Sequence, residues 1–497
     1  MQSYNHIIGF RAIIMGGNDE DELQSEITEE VPPLERPQNV RATIYLLIAF
    51  GVLFLISIIP TPMTPPAQRA LGILVFVTIL WVTEAFPLGM TALFGVTLLP
   101  VLEILPLSDA FFGFKNPALF FLIGALSFGI AIQKTNLSKR FSLTVLDKFG
   151  KTSSYMVFSI CLIGCVMSWA MPSHAVAALL LPVLVSIIQA GKIEHNSKFA
   201  VAVFLALTYS TSVGSIGSLL GGARNILAIG ILETVTETSI GFLDWMIAGV
   251  PIALVLTVLT FSTLKLVYPW KKIDTQKIRN KLQDEVKEIG PMSRGEKKAS
   301  IIFFITLILW ITVGRDYGLS VVAVGGFFAL VVSRTINWRD IKQNMPWGLI
   351  FLYGGALTLS HALTTTNAVT FISESLVSFI GQNPLIVMIT FLILVIIISN
   401  MMSNSAAVAV VLPIAIITIT GLGAAKSYPG ELVAYLIAMG SAMVFMLPVG
   451  TPSAAIVYSS GYVEVKDLVK AGSILTILSI LVFLTIGLGW WKLIGIW

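Results

Sequence analysis

Two short polar clusters interrupt the apolar runs of this sequence and carry its candidate chemistry. The better-defined cluster is Ser399–Ser405 (SNMMSNS), which places five hydroxyl or amide side chains in seven positions. A polar group exposed to lipid hydrocarbon costs several kcal/mol unless it finds a partner, so such clusters normally face protein or a water-filled cavity. Small polar residues also let two helices pack closely, and that interpretation would suffice for a single cluster.

A second cluster, Pro172–His174, aligns without a gap on Ser403–Ser405, and both are followed at the same spacing by a Leu-Pro step that ends at Pro182 or Pro413. Polar interruptions at matching places in two halves of a chain are typical of secondary transporters, which hold their substrate near the membrane midplane. The repeat therefore favours a carrier over packing alone.

The elements that position these clusters are membrane helices. The chain has 497 residues, of which 56% are apolar and 12% charged, and its mean hydropathy is +0.89. These values exclude a soluble globular protein, and apolar segments of spanning length recur from Ala42 to Trp490. The sequence therefore predicts an all-α polytopic membrane protein.

Cys161 and Cys165 lie one helical turn apart in an apolar segment, which predicts packing rather than a disulfide or a zinc site.

The distribution of charge orients the chain. Lysine and arginine crowd the loop at 269–298, and the positive-inside rule assigns that loop to the cytoplasm, together with the N-terminus near Arg36 and Arg41. The net charge of +4 lies in loops and concerns topology, so we expect no nucleic-acid partner. No cleavable signal peptide is evident. We expect a multi-pass protein of the plasma or inner membrane with an extracytoplasmic C-terminus.

Five predicted segments follow from this pattern. They are a disordered acidic cytoplasmic tail (1–40), a first transmembrane helix (41–67), a first repeat (68–268) with its cluster at 172–174, the basic cytoplasmic loop (269–298), and a second repeat (299–497) with its cluster at 403–405. If each repeat crosses the membrane five times, an odd number, the second copy is inverted relative to the first. The chain then has about 11 transmembrane helices.

The second copy closely resembles the divalent-anion/sodium symporter (DASS, INDY-like) family. Members carry Ser-Asn-Thr at the tip of each of two re-entrant hairpins, and a Gly-Thr-Pro-Pro-Asn-like break in the helix after each hairpin. This chain has Ser403–Ser405 and then Gly450, Thr451 and Pro452. The resemblance extends from about Leu71 to the C-terminus. It implies two re-entrant hairpins, an elevator mechanism with scaffold and transport domains, a homodimer, and a dicarboxylate, citrate or sulfate as substrate.

The resemblance also implies site residues. The sodium ligands that it implies are Ser399, Ser403, Asn404 and Gly450 in the second copy, with Ser168 and Gly214 as their weaker counterparts in the first. The anion contacts that it implies are Asn404, Ser405, Thr451 and Pro452. The first copy contributes further candidates at its own tip and break, namely Ser173, His174, Arg224 and Asn225. Oxygen ligands suit a hard cation, and N–H groups at the starts of half-helices suit an anion. We expect sodium as the coupling ion and no organic cofactor.

The first copy departs from the family pattern. Pro172 lacks both a hydroxyl and an N–H, Ser173 is shorter than the expected asparagine, and the break contains Gly222 and Arg224 where the family has Thr-Pro-Pro. In the second copy, Ser453-Ala454 replaces the expected Pro-Asn. We therefore predict that the first sodium site is degraded and the second retained.

Arg224 is the most informative departure, because an unpaired arginine in a membrane segment costs on the order of 3 kcal/mol or more. It either clamps the anionic group of the substrate or replaces the first sodium ion with a fixed charge. A structural ion pair or snorkelling from a helix end is the alternative, although acids deep in the spans are scarce (Glu84, Glu103, Glu233).

Two histidines lie in the predicted spans near these clusters. His174 at the first tip either donates to the anion, titrates to couple transport to protons, or is structural. We expect His361 to be structural.

The function that this pattern predicts is secondary active transport of a small, divalent anion such as a dicarboxylate or sulfate, coupled to sodium through the second hairpin. The chain has no His-Glu-x-x-His motif, paired intramembrane aspartates or Walker loop, so we expect no enzyme and no ATP-driven pump. Two alternatives remain open. One is a sodium-independent or proton-coupled anion exchanger of the same fold, and the other is a channel or sensor on a decayed transporter fold.

Overall fold

The computed structural model describes residues 36–150, 152–271, 273, 275–424 and 426–497. The predicted acidic tail lies almost entirely outside these residues. Within them the secondary structure is helical, without a strand. The first half contains α1 Arg36–Ile58, α2 Pro65–Val82, α3 Leu88–Val101, α4 Pro117–Lys134, α5 Leu137–Phe149, α6 Ser153–Met167, α7 Ser173–Ala190, α8 Lys198–Gly214, α9 Ala223–Thr236 and α10 Phe242–Val267.

The amphipathic helix α11, Gln276–Ile289, separates this half from the second. The second half contains α12 Arg294–Thr312, α13 Leu319–Val332, α14 Trp338–Asn344, α15 Trp347–Thr365, α16 Ala368–Ile380, α17 Pro384–Met401, α18 Asn404–Gly421, α19 Gly430–Gly440, α20 Pro452–Ser459 and α21 Val465–Leu493.

Eight of the described helices are long and apolar enough to cross a membrane on their own: α1 (from Val40), α2, α4, α7, α10, α17, α18 and α21. A crossing takes about 20 residues, so α8 and α19 need their continuations α9 and α20 to complete one. Outside the hairpins α6–α7 and α17–α18, the described chain offers the crossings α1, α2, α3, α4, α8–α9, α10, α12, α13, α15, α19–α20 and α21. The predicted all-α polytopic fold with two hairpins is confirmed.

From α3 to the first hairpin, the second half copies the first at a nearly constant offset along the chain, the one that separates Pro172 from Ser403. The pairs α3 and α13, α5 and α16, and α7 and α18 have 14, 13 and 18 residues respectively, and the two members of each pair begin at this same offset. Asn136 and Asn367 precede α5 and α16 in the same left-handed conformation, with φ of 59° and 58°. Left-handed backbone is uncommon outside glycine, so its recurrence indicates a repeated fold rather than chance similarity.

The helices pack into two groups. In one, which contains both hairpins and both broken helices, α9 packs on α18 and α19, α20 on α7 and α8, and α10 on α21. In the other, α4 packs on α13, α3 on α15, and α1 on α2. The groups meet where α9 contacts α4 and α15, and where α18 contacts α15. We call them the hairpin body (α6–α10 and α17–α21) and the flanking body (α1–α4, α12, α13 and α15).

Small residues hold the hairpin body together. Residues 199–214 of α8 are all buried, and α8 packs tightly along α6. A Cβ atom on Gly214 would clash with the backbone of Cys165, so only glycine permits this approach. The first hairpin is thereby fixed against the helix whose break it faces.

Candidate functional site

The two hairpin tips have the same backbone despite their different side chains. Pro172 precedes α7 with φ −57° and ψ 140°, and Ser403 precedes α18 with φ −55° and ψ 134°. The proline ring fixes φ in this region, so Pro172 keeps the conformation of the tip while it removes a hydroxyl and a donor. Each tip therefore still presents the first N–H groups of a helix, the end that favours an anion.

The two broken helices face these tips. The helix α8 ends at Gly214 and resumes as α9 after a 3₁₀ turn at Leu219–Gly221. Similarly, α19 ends at Gly440 and resumes as α20 after a 3₁₀ turn at Pro448–Gly450. The first break is the shorter one.

The constant offset of the repeat would pair Ser210 with Ser441, but the structure does not. Ser441 follows directly after α19, and the residue that follows directly after α8 is Ser215. Ser210 is instead a buried residue inside α8. The offset changes here because α19 has 11 residues and α8 has 17.

Both tips and both breaks line one cavity of about 310 Å³, which is large enough for a small organic anion. Among the predicted site residues, the cavity is lined by Ser173, His174, Arg224, Ser403, Asn404, Ser405, Gly450, Thr451 and Pro452. The flanking body closes part of it with Glu84, Leu88, Leu126 and Leu349. The two polar clusters that the sequence singled out thus meet in space.

Four predicted residues do not line the cavity: Ser168, Gly214, Asn225 and Ser399. Asn225 is fully buried, and its Nδ2 donates to the carbonyl oxygens of Ser215 and Ser218 at 2.8 Å each, which fixes the shape of the first break. Ser168 donates locally to the carbonyl oxygen of Gly164 at 2.7 Å.

Arg224 lies in the cavity wall and is only 5% exposed. Its Nε donates to the carbonyl oxygen of Ala438 at 3.2 Å, and its Nη2 donates to the hydroxyl of Ser215. No ion pair to Arg224 occurs in the described part of the chain, and its burial excludes snorkelling. A Cβ atom on Gly222 would lie 2.7 Å from Nη1, so glycine there makes room for the guanidinium. A buried cation without a direct ion pair makes an anion in the cavity its natural counter-charge.

The second tip carries oxygen atoms without partners. Ser399 Oγ, Asn400 Oδ1 and Asn404 Oδ1 are buried and accept no hydrogen bond from the described residues, whereas most buried polar atoms are paired. A Cβ atom on Gly450 would lie 3.5 Å from the carbonyl oxygen of Ser399, so this part of the break lies beside the set. Uncharged oxygen ligands of this kind fit a hard monovalent cation. Asn400 was not among the predicted ligands.

The first tip offers fewer oxygen ligands. Ser168, the counterpart of Ser399 at the offset of the repeat, donates its hydroxyl hydrogen to the carbonyl oxygen of Gly164. Pro172 replaces the hydroxyl of Ser403, and Trp169, the counterpart of Asn400, offers an indole N–H instead of an amide oxygen. A donor cannot bind a cation, so the two tips differ in the chemistry that they offer.

The remaining predicted residues divide between the cavity and the structure around it. His174 exposes its ring at the first tip and makes no side-chain hydrogen bond among the described residues. Thr451 caps α20, since its hydroxyl accepts from the backbone N–H of Ala454 at 3.1 Å. His361 stacks on Phe112 with ring centroids 3.9 Å apart, outside the cavity.

Sequence reasoning missed several residues around the cavity. Ser212, Ser215 and Glu84 line it, and the fully buried Tyr353 lies close to Arg224 and Ser405. The signals were present but weak. Tyr353 is a polar side chain in an apolar run, and Glu84 occupies an interruption between two spans.

Comparison with known proteins gives consistent matches over most of the chain. The model of the sodium:sulfate symporter transmembrane region matches residues 39–497. A sodium-dependent dicarboxylate transporter, SdcS, of Staphylococcus saprophyticus is 26% identical over 472 residues, which cover 88% of this chain and 90% of the relative. An uncharacterized transporter of Haemophilus influenzae is 28% identical over 457 residues, which cover 88% and 95%.

Among solved structures, the YdaH transporter of Alcanivorax borkumensis matches with a TM-score of 0.51 over 93% of this chain and 98% of that chain. The two are 15% identical, so this similarity concerns the fold alone.

Proposed function

We propose, since this chain belongs to the sodium:sulfate symporter family, that it is a secondary active transporter of a small anion, either a dicarboxylate or sulfate. Membership of a transporter family also confirms the expectation that the protein is not an enzyme. The observation that carries the proposal is Arg224, a buried cation without an ion pair in the described chain, in the wall of a cavity that receives two helix N-termini.

The coupling ion in this proposal is sodium, bound at the second tip. Ser399, Ser403, Asn404 and the backbone near Gly450 would hold it, with Asn400 as an added ligand. The unpartnered oxygens at that tip support this assignment. When bound, sodium supplies positive charge beside the anion and makes anion binding depend on the sodium gradient.

Arg224 takes the place of the first sodium ion in this proposal and also contacts the anion. It lies in the cavity wall, and the first tip has Pro172 and Trp169 where the second has Ser403 and Asn400. One sodium ion therefore accompanies each anion. Two complete sites would bind more than one.

The proposed movement is that of an elevator, in which the hairpin body slides against the flanking body. Both tips and both breaks belong to the hairpin body, so they can travel together with the anion. The flanking body would hold a homodimer in the plasma or inner membrane. If the N-terminus is cytoplasmic, the two crossings α1 and α2 return the chain to the cytoplasmic side at the turn that contains Glu84. The cavity that Glu84 lines would then open towards the cytoplasm. After all the crossings named above, the C-terminus would lie outside.

Uptake into proteoliposomes tests this proposal. Vesicles with purified full-length protein should accumulate labelled succinate or sulfate when an inward sodium gradient is imposed, and the Arg224→Gln variant should not. Flux that is never coupled to a gradient would indicate a channel, and binding without flux would indicate a sensor. Absence of binding and flux for both anions would contradict the proposal.

A second candidate is a proton-coupled or sodium-independent anion exchanger, which one observation favours. His174 lies in the cavity without a side-chain hydrogen-bond partner among the described residues, so it is free to donate to the anion or to titrate. Sodium-independent counterflow, together with a pH dependence that disappears in His174→Asn, would select this function. An uptake rate that responds to sodium but keeps its pH profile in His174→Asn would select sodium coupling.

A further inference from the structure

The flanking body places one carboxylate against the anion cavity. Glu84 lies in the turn between α2 and α3. Among the described residues that line the cavity, Glu84 is the acidic residue and Arg224 is the arginine. Its side chain is exposed and makes neither an ion pair nor a hydrogen bond within the described part of the chain. Its φ of 47° is left-handed, a conformation that is uncommon for a residue with a side chain. An unneutralised negative charge therefore lies beside a site for negative ligands.

The repeat explains why Glu84 has no partner. Its counterpart at the offset of the repeat is Arg315, in the turn between α12 and α13, and Nη2 of Arg315 lies 2.6 Å from Oδ2 of Asp244. This ion pair joins the flanking body to the start of α10 in the hairpin body. The counterpart of Asp244 is Asp467, because each is the third residue of its helix and closes a capping box.

The pair that corresponds to Arg315 and Asp244 therefore consists of two acids, Glu84 and Asp467. Asp467 is engaged elsewhere, since its Oδ1 accepts from the hydroxyl of Tyr268 at 2.8 Å. Two like charges cannot form the ion pair that their counterparts form. The negative charge of Glu84 is therefore not paired and can repel an anion in the cavity.

We propose that Glu84 is a specificity-determining residue that disfavours dianions relative to monoanions in this conformation and so promotes their release from the open side of the cavity. The inference rests on the proposed transport of an anion. Glu84 belongs to the flanking body, so it stays in place when the hairpin body moves. The repulsion therefore acts where the cavity faces Glu84 and is relieved when the anion is carried away from it.

The proposal predicts a ratio between the effects of a Glu84 substitution on dianion binding and on monoanion binding. This ratio does not depend on the distance between Glu84 and the ligand. Coulomb energy is proportional to the charge of the ligand, so removing the charge of Glu84 changes the binding free energy of a dianion twice as much as that of a similar monoanion. The factor by which the dianion binds more tightly is then the square of the factor for the monoanion. A loss of packing or backbone strain would affect both ligands alike.

The test is ligand binding to purified full-length protein at saturating sodium, measured by calorimetry with succinate as the dianion and monomethyl succinate as the monoanion. In Glu84→Gln at low ionic strength, we expect the dissociation constant to fall roughly tenfold for succinate and roughly threefold for monomethyl succinate. Both changes should shrink when choline chloride is raised to about 1 M, where the screening length is about 3 Å.

Two variants serve as controls. Glu84→Asp keeps the charge and should bind both ligands as the wild type does. Glu103→Gln removes another left-handed glutamate (φ 55°), which is exposed, pairs with Arg69 and lies outside the cavity, so it should change neither constant.

The outcomes separate the two proposals. If the wild type binds neither succinate nor sulfate, the proposed function fails and the role of Glu84 fails with it. If the wild type binds succinate but Glu84→Gln changes both constants equally, or changes neither, or is insensitive to salt, the role of Glu84 alone is overturned. If the monoanion binds too weakly to measure, the salt dependence of the succinate change decides.

Discussion

The Nε of Arg224 donates to the carbonyl oxygen of Ala438 at 3.2 Å, so a side chain of the first broken helix is bound to the second. Ala438 lies in the last turn of α19, where carbonyl groups lack intrahelical donors and the helix dipole is negative. Carbonyls at such a break are groups that a cation would bind in a transporter. The guanidinium supplies a permanent positive charge there, which is the physical basis for its proposed replacement of a sodium ion.

Removing this charge should abolish transport. We expect Arg224→Gln to lower the rate of succinate or sulfate uptake at least about 100-fold, because a buried charge-assisted contact to the anion is lost together with the link to Ala438. Arg224→Lys should recover a small part of the rate, since an ammonium keeps the charge but not the planar fork. The matched control is Arg294→Gln, an exposed residue at the start of α12, which should transport normally. Wild-type uptake by Arg224→Gln would remove this residue from the site.

The asymmetry of the two tips gives a matched pair of serine variants. Ser399→Ala should raise the sodium concentration for half-maximal uptake roughly tenfold, because it removes an unpartnered oxygen of the proposed cation site. Ser168→Ala, its counterpart in the first copy, should leave that concentration within about twofold, because Pro172 and Trp169 deprive the first tip of the other oxygen ligands. Equal effects of the two substitutions on sodium activation would contradict the assignment of the cation to the second tip.

The contact between the first hairpin and α8 predicts a stability difference. Gly214→Ala should lower the free energy of unfolding by about 1–3 kcal/mol, because the added methyl group meets the backbone of Cys165 and neither helix can shift freely. The methyl group added by Gly51→Ala in α1 would meet no atom within 4 Å, so this substitution should be neutral or slightly stabilising. Thermal unfolding of both variants in the same detergent measures the difference, and equal midpoints would show that the hairpin is less closely packed than described.

Much of this architecture follows from the sequence because it depends on spacing. Pro172 and Ser403 are related by the same offset as the helices around them, so the two tips could be paired before their shared backbone was seen. This pairing, together with the resemblance to the family, predicted that Ser173, Arg224, Asn404 and Thr451 belong to one region, and all four line the cavity.

The sequence was least informative where the helices are broken. Asn225 does not line the cavity but donates to two carbonyl groups of the preceding break, whose irregular path does not relate sequence position to direction as a helix does. The constant offset of the repeat fails at Ser210 and Ser441 because α19 is shorter than α8. Glu84 was predicted only as one of the scarce acids of the spans, and only the tertiary packing places it against the cavity.

The central claim is that Arg224 replaces one of two sodium ions. It is tested most directly by the sodium dependence of anion uptake in proteoliposomes, measured for the wild type and for Arg224→Thr. The account predicts a shallow activation curve for the wild type with a Hill coefficient of about one, and either a steeper curve or no uptake for the variant. A wild-type curve that requires two or more sodium ions would contradict it.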